Sequence, residues 1–131
     1  MSSNQIPKPT ESELEILHVL WANGPSSVRF VNDKINESKK GEVGYTTTLK
    51  IMQIMFADKK LLLRNTDSRT HIYEANVTEK ETQNALLQKF VDRTFKGSAM
   101  QLVMQALGNH QTTSEELEQI KALIESIENK K

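Results

Sequence analysis

Three amphipathic helix patterns followed by a hairpin pattern fill residues 10–75, and this order constrains the fold more than any other feature of the chain. The first pattern begins where Thr10 and Glu13 stand at the spacing of a capping box. Leucines then recur at helical spacing through residues 11–22, until Gly24 interrupts the pattern. The second pattern, "SSVRFVNDKINE", has its valines and isoleucine on one side and a serine before them as a cap.

The third helix pattern covers about residues 46–58 and precedes two short apolar runs within residues 61–75. Asn65, Asp67 and Ser68 separate these runs, and turn formers between two apolar runs predict a β-hairpin. Three helices and then a hairpin are the element order of a winged helix-turn-helix. We therefore expect residues 1–77 to form a winged-helix DNA-binding domain, although a generic α+β fragment has the same element count.

Residues 78–131 predict three further helices, the first of which ends or bends at Gly97. Isolated helices of this length are marginal in water, so their apolar stripes need a partner surface. Recognition folds commonly act as two-fold dimers. We expect a helical dimerisation domain here, which makes the chain mainly α with a small β-hairpin. The expected dimerisation residues are Leu87, Phe90, Val91, Leu102, Val103, Leu117, Ile120 and Ile124.

The charge is unevenly distributed, although 17 basic and 17 acidic residues cancel over the whole chain. From Lys39 to His71, seven Lys or Arg residues stand against three Asp or Glu, a net charge of +4. Residues 1–23 carry one Lys against three Glu, a net charge of −2. A local basic surface attracts a polyanion even where the total charge is zero, so the balance does not exclude nucleic acid.

The third helix pattern has one polar side. At 100° per residue, its apolar residues point away from Lys50, while Thr46, Thr47 and Gln53 share the Lys50 side and Ile54 lies at its margin. Hydroxyls and helix N-terminal amides suit phosphate oxygens, whereas lysine, glutamine and an aliphatic edge suit guanine, adenine and the thymine methyl group. This set favours a recognition helix. The alternative is that Thr46 only caps the helix and the other polar residues are solvated.

No catalytic or metal-binding pattern is present in the sequence. The absence of cysteine excludes disulfides and thiolate chemistry, and the three histidines lack the spacing of paired metal ligands. We therefore expect that the protein is not an enzyme and that it has neither a cofactor nor a metal site. No apolar run approaches the ~20 residues that span a bilayer, and the first ten residues have no apolar signal core. We therefore expect a cytoplasmic protein without membrane insertion.

Five segments together resemble the penicillinase-repressor family, which contains the β-lactamase and methicillin-resistance repressors. They are "LEILHVLW", "GPSSVRFV", "GYTTTLKIMQIM", "LLLRNTDSRTHIYEA" and "FVDRTFKGSAMQLVMQAL". The likeness covers about residues 8–128, and the order and spacing of the segments carry it. It implies a winged-helix domain, a dimerisation domain, and repression by a homodimer on a dyad-symmetric operator in double-stranded DNA.

The resemblance also assigns residues. Matches to the family's recognition helix begin at Tyr45, and Arg69 and His71 match its wing. It further implies release by a protease linked to a membrane sensor of β-lactams. With the polar strip of the third helix and the nearby Arg29, the expected DNA-binding residues are Arg29, Tyr45, Thr46, Thr47, Lys50, Gln53, Ile54, Arg69 and His71.

The chain departs from the family pattern at three places. Lys59-Lys60 replaces the glycine usually found between recognition helix and wing, where a left-handed residue fits most easily. An arginine common in the second half of the recognition helix is missing. Gln105-Ala106 stands where the family has its scissile Asn-Phe pair, which argues against cleavage there. A rival function is a winged-helix adaptor whose apolar C-terminal helices dock a different protein.

Overall fold

The structure, a computed structural model, describes residues 7–38 and 41–130, so the chain start and the middle of the polar loop at 38–44 lie outside it. It confirms a mainly helical fold with a small antiparallel sheet. The elements in chain order are α1 (Glu11–Asn23), β1 (Ser26–Ser27), α2 (Val28–Ser38), α3 (Tyr45–Ala57), β2 (Leu62–Asn65), β3 (Ile72–Ala75), α4 (Glu79–Thr94), α5 (Ala99–Asn109) and α6 (Ser114–Asn129).

The chain divides into two compact units, Met1–Gln88 and Lys89–Lys131. The first unit contains the helices and strands of the winged-helix pattern, and the second contains α5 and α6. The division falls inside α4, whereas the domain boundary expected from the sequence lies between residues 77 and 78. That boundary remains a prediction.

The sheet has three antiparallel strands in the order β1-β3-β2. The predicted hairpin pairs Leu62 with Ala75 and Arg64 with Tyr73. The sequence patterns did not predict β1, whose two serines pair with the opposite edge of β3. A two-residue strand is too short to show a period, and Ser27 also accepts the Phe30 N–H at 3.1 Å as a cap of α2.

An apolar core fills the space between α1, α2, α3 and the sheet. The helices contribute one face each, as their periodicity predicts, and burial of each large side chain stabilises the unit by about 1.5–3 kcal/mol. The core therefore fixes which face of α3 points inward. Its buried members are Ile16, Leu17, Leu20, Val28, Val31, Ile35, Met52, Met55, Leu61, Leu62 and Tyr73.

The segment that follows the C-terminal end of α3 is held to α1 by polar groups. At its C-terminal end, the Lys59 ammonium donates to the buried Glu13 carboxylate at 2.8 Å, and the same oxygen accepts the Thr10 N–H at 2.9 Å. Glu13 thus joins the predicted capping box of α1 to the segment that follows α3. A buried carboxylate with both partners in place holds its position firmly.

Lys60 occupies the left-handed conformation, with φ 59°, at the turn where the resemblance places glycine. Left-handed backbone costs a residue with a Cβ about 1–2 kcal/mol, whereas glycine adopts it freely but loses more entropy on folding. We expect Lys60→Gly to raise the free energy of unfolding by up to about 1 kcal/mol in urea titrations. Lys60→Ala keeps the strain and serves as the control, and a Gly variant less stable than the Ala variant would contradict this explanation.

The end of α4 and the start of α6 lie where the sequence signals predict them. Lys96 and Gly97 have φ 53° and 88°, which ends α4 as predicted, and Thr113 with Glu116 forms the predicted capping box of α6. No helix among the described residues is long and apolar enough to cross a membrane.

Candidate nucleic-acid interface

The outward strip of α3 has the composition that the helical pattern predicts. The helix begins at Tyr45 after Gly44, which occupies the N-cap position, so the alternative that Thr46 caps the helix is wrong. The strip places hydroxyls in the first turn and a cation in the second. Its exposed side chains are Thr46, Thr47, Lys50, Gln53 and Ile54.

The three consecutive threonines divide between the two faces of α3. Thr46 and Thr47 are exposed, whereas Thr48 is buried and its Oγ1 accepts a hydrogen bond from Asn32 Nδ2 at 2.8 Å. Thr48 is therefore part of the buried interior and is not available to a ligand. Only its two predecessors are available to a ligand.

The loop before α3 is fastened to α2 by two asparagines that the sequence analysis did not single out. Asn36 Oδ1 accepts the Val43 N–H at 2.7 Å, and Asn36 Nδ2 donates to the Val43 carbonyl at 3.0 Å. Asn32 Nδ2 also donates to the Val43 carbonyl at 3.0 Å and to the Gly44 carbonyl at 3.3 Å. The available signal was a polar residue, Asn32, on the otherwise apolar side of α2.

Arg29 extends the exposed strip on the α2 side. Its guanidinium carbon lies 4.3 Å from the centroid of the Tyr45 ring, a cation–π arrangement between α2 and the first residue of α3. The stack holds a permanent cation beside a helix N-terminus, where the backbone N–H groups favour negative charge. This corner of the unit suits a phosphate oxygen.

The wing presents a second set of exposed polar side chains. Arg69 and His71 are both exposed in the turn between β2 and β3, as predicted. Within that turn, Asn65 Oδ1 accepts the Asp67 N–H at 2.8 Å. Arg64 on β2 was not among the predicted site residues, yet its guanidinium carbon lies 4.3 Å from the Phe56 ring centroid, which links the wing to α3.

Most of the predicted dimerisation residues present apolar surface to solvent. Leu102 and Ile120 are half-buried, and Val91 is only 5% exposed in the single chain. The exposed members of the predicted set are Leu87, Phe90, Val103, Leu117 and Ile124, and the structure adds Met100, Met104, Leu107, Leu123 and Ile127.

Among the described residues, no group of His, Asp and Glu side chains has an arrangement that could hold a metal ion. The exposed features of the first unit are instead a polar helix strip, a stacked arginine and a basic wing. The family model for the penicillinase repressor matches residues 9–126, nearly the whole chain.

The chain belongs to the penicillinase repressor family. Two relatives are penicillinase repressors of Bacillus licheniformis and Staphylococcus aureus. The first is 26% identical over 127 residues, which cover 97% of each chain. The second is 19% identical over 119 residues, covering 91% of this chain and 92% of the relative.

Members of the penicillinase repressor family are transcriptional regulators and not enzymes, and this chain is accordingly a transcriptional repressor. The family match confirms the resemblance inferred from the five sequence segments.

Proposed function

We propose that this repressor acts as a homodimer on a dyad-symmetric operator in double-stranded DNA, with α3 in the major groove and the β2–β3 turn as a wing. The observation that carries the proposal is the orientation of α3. Its apolar face is buried in the core, while a continuous strip of hydroxyl, amide and cationic side chains faces solvent. A helix presented in this way has the width and chemistry that the major groove accepts.

The strip and its neighbours divide into positioning and reading groups. Arg29, the first-turn amides of α3, and Arg69 on the wing suit phosphates, which fix the register of a protein on the duplex. Lys50 and Gln53 have donors that suit guanine and adenine edges in the major groove. These proposed roles include both the nonspecific and the specific contacts that operator binding needs.

The exposed apolar side chains of the second unit support a homodimer. Scattered apolar residues are normal on a protein surface, but several on two adjacent helices mark an interaction site. A cleft of about 580 Å³ between α5 and α6 has apolar walls that include Leu107, Ile120 and Leu123. We propose that a second copy of this chain covers these side chains and so presents two copies of α3 to the two half-sites.

The sensor-linked protease implied by the resemblance is not part of this proposal. Gln105 and Ala106 replace the scissile pair, and both lie inside α5, where the backbone is hydrogen-bonded as a helix. Both observations argue against cleavage at this position.

We expect Lys50→Ala to weaken operator binding by about 1–3 kcal/mol, because it removes one cation and one base-edge or phosphate contact. It should also reduce the slope of log K against log salt concentration by about 0.9 if the contact is to a phosphate. Thr47→Ala should weaken binding as well. The measurement is a salt titration of binding to a DNA fragment that the protein selects from genomic DNA.

The control for this experiment is Lys89→Ala, which removes the same charge from an exposed position on α4. Circular dichroism should be unchanged in all three variants, since each replaced side chain is exposed. Full retention of operator affinity by both Lys50→Ala and Thr47→Ala would contradict the assigned face of α3.

A further inference from the structure

The first turn of α3 is positioned by two asparagine side chains of α2, which lie on its inner side. Gly44 at the N-cap has no side chain with which to cap the helix, so the usual side-chain bond at this position is not made. The residues just before α3 are instead held by the amides of Asn32 and Asn36, whose bonds to Val43 and Gly44 are given above.

These amides form one connected group that extends into α3. Asn36 Nδ2 lies 3.4 Å from Asn32 Oδ1, and Asn32 Nδ2 donates to Thr48 Oγ1 at 2.8 Å. Asn32 and Thr48 are 4% and 1% exposed, so water is nearly excluded from the bond between them. Among the described residues, no buried side-chain nitrogen or oxygen lacks a hydrogen-bond partner. A buried polar network that is fully paired specifies a single geometry.

The network lies on the opposite side of the first turn from the groups proposed to meet DNA. Tyr45, Thr46 and Thr47 are exposed and immediately follow the fastened loop, while Thr48 in the same turn is bonded inward. Hydrogen bonds to base edges or phosphates weaken steeply when donor distances and angles depart from their optimum. A small shift of the loop would therefore displace every first-turn contact together.

We infer that Asn32 and Asn36 are positioning residues for operator discrimination, which they control by setting the start of α3 without contacting DNA themselves. This inference rests on the proposed function, because it concerns how accurately the first turn of α3 meets a specific sequence. Nonspecific DNA binding depends mainly on phosphate charge and tolerates small displacements, so loss of the network should affect the two binding modes differently.

The test compares wild type and Asn36→Ala on the selected operator and on a duplex of the same length and scrambled sequence. Asn36 is half-buried, so this variant is the one expected to fold, and Asn32→Ala serves as a second variant if its urea midpoint allows. Asn84→Ala on the exposed surface of α4 is the matched control. Affinities are measured on protein whose folded fraction has been determined, at several salt concentrations.

We expect Asn36→Ala to bind the operator about tenfold more weakly, because the start of α3 also sets where Lys50 and Gln53 in the next turn meet the base edges. Binding to the scrambled duplex should stay within about twofold, and the salt slope should not change because Asn36→Ala removes no cation from the surface that meets the phosphates. The affinities of the Asn84→Ala control for both duplexes should match those of the wild-type protein. Equal losses on both duplexes, or an operator affinity within twofold of wild type, would overturn the inference.

A double-mutant cycle separates positioning from a general loss of stability. If Asn36 acts through the first turn, the losses caused by Asn36→Ala and Thr47→Ala should not add, because both remove the same contact. Fully additive losses would also overturn the inference. A wild-type protein that does not distinguish the operator from the scrambled duplex would instead remove the proposed function, and the inference with it.

Discussion

Replacing Ile124 by lysine is expected to convert the repressor from a dimer to a monomer and to weaken operator binding by about 10²–10⁴-fold. Ile124 is 52% exposed in the single chain, and its face of α6 also carries Leu117 and Ile120. A charge placed on an apolar interface must be desolvated when the two copies associate, which costs several kcal/mol. Without association, each DNA-binding unit meets its half-site alone, and the gain from simultaneous binding disappears.

Analytical ultracentrifugation at micromolar concentration measures the mass, and titration of operator DNA measures the affinity. Ser126→Lys is the matched control, because it adds the same side chain to α6 on the opposite face, two residues from Ile124. The control should remain dimeric and bind as wild type does. A wild-type protein with the mass of a monomer, or an Ile124→Lys variant that stays dimeric, would contradict the proposed interface.

Met52→Ala is expected to lower the free energy of unfolding of the winged-helix unit by about 2–5 kcal/mol. Met52 is 0% exposed and belongs to the core that α3 forms with α1, α2 and the sheet. Truncation removes its buried apolar surface and leaves a cavity that close-packed neighbours fill only partly. The loss is a large fraction of the about 5–15 kcal/mol that stabilises a typical domain.

The control is Gln53→Ala, one residue further along α3 and exposed. Because alanine is a good helix former, this change should alter the unfolding free energy by no more than about 0.5 kcal/mol. Urea titrations monitored by circular dichroism give both values. If the two neighbouring substitutions destabilised the protein equally, the assignment of inward and outward faces of α3 would be wrong.

Helices, caps and faces were predictable from the sequence because each depends on neighbours a few residues apart. Thr10 with Glu13 and Thr113 with Glu116 form the capping boxes that their spacing indicates. The exposed strip of α3 followed from helical periodicity alone, since a core on one side leaves the other side to solvent.

The features that the sequence did not predict depend on contacts between residues distant in the chain. Strand β1 exists only because β3 offers an edge at which Ser26 and Ser27 pair. Asn32 is buried in α2 because the loop before α3 supplies carbonyl acceptors 11 and 12 residues later. Val91 is buried within the single chain, and helical periodicity alone cannot show whether the same chain or a second copy covers an apolar stripe.

The most direct test of whether α3 reads DNA is retention of fragmented genomic DNA from the source organism on the immobilised full chain, at low ionic strength and with competitor DNA present. We expect the wild-type protein to enrich fragments that share a dyad-symmetric sequence with half-sites a whole number of helical turns apart. Thr47→Ala and Lys50→Ala should enrich these fragments less than the wild-type protein does. Retention of no sequence above the competitor by the wild-type protein would contradict operator binding and favour the protein-docking adaptor.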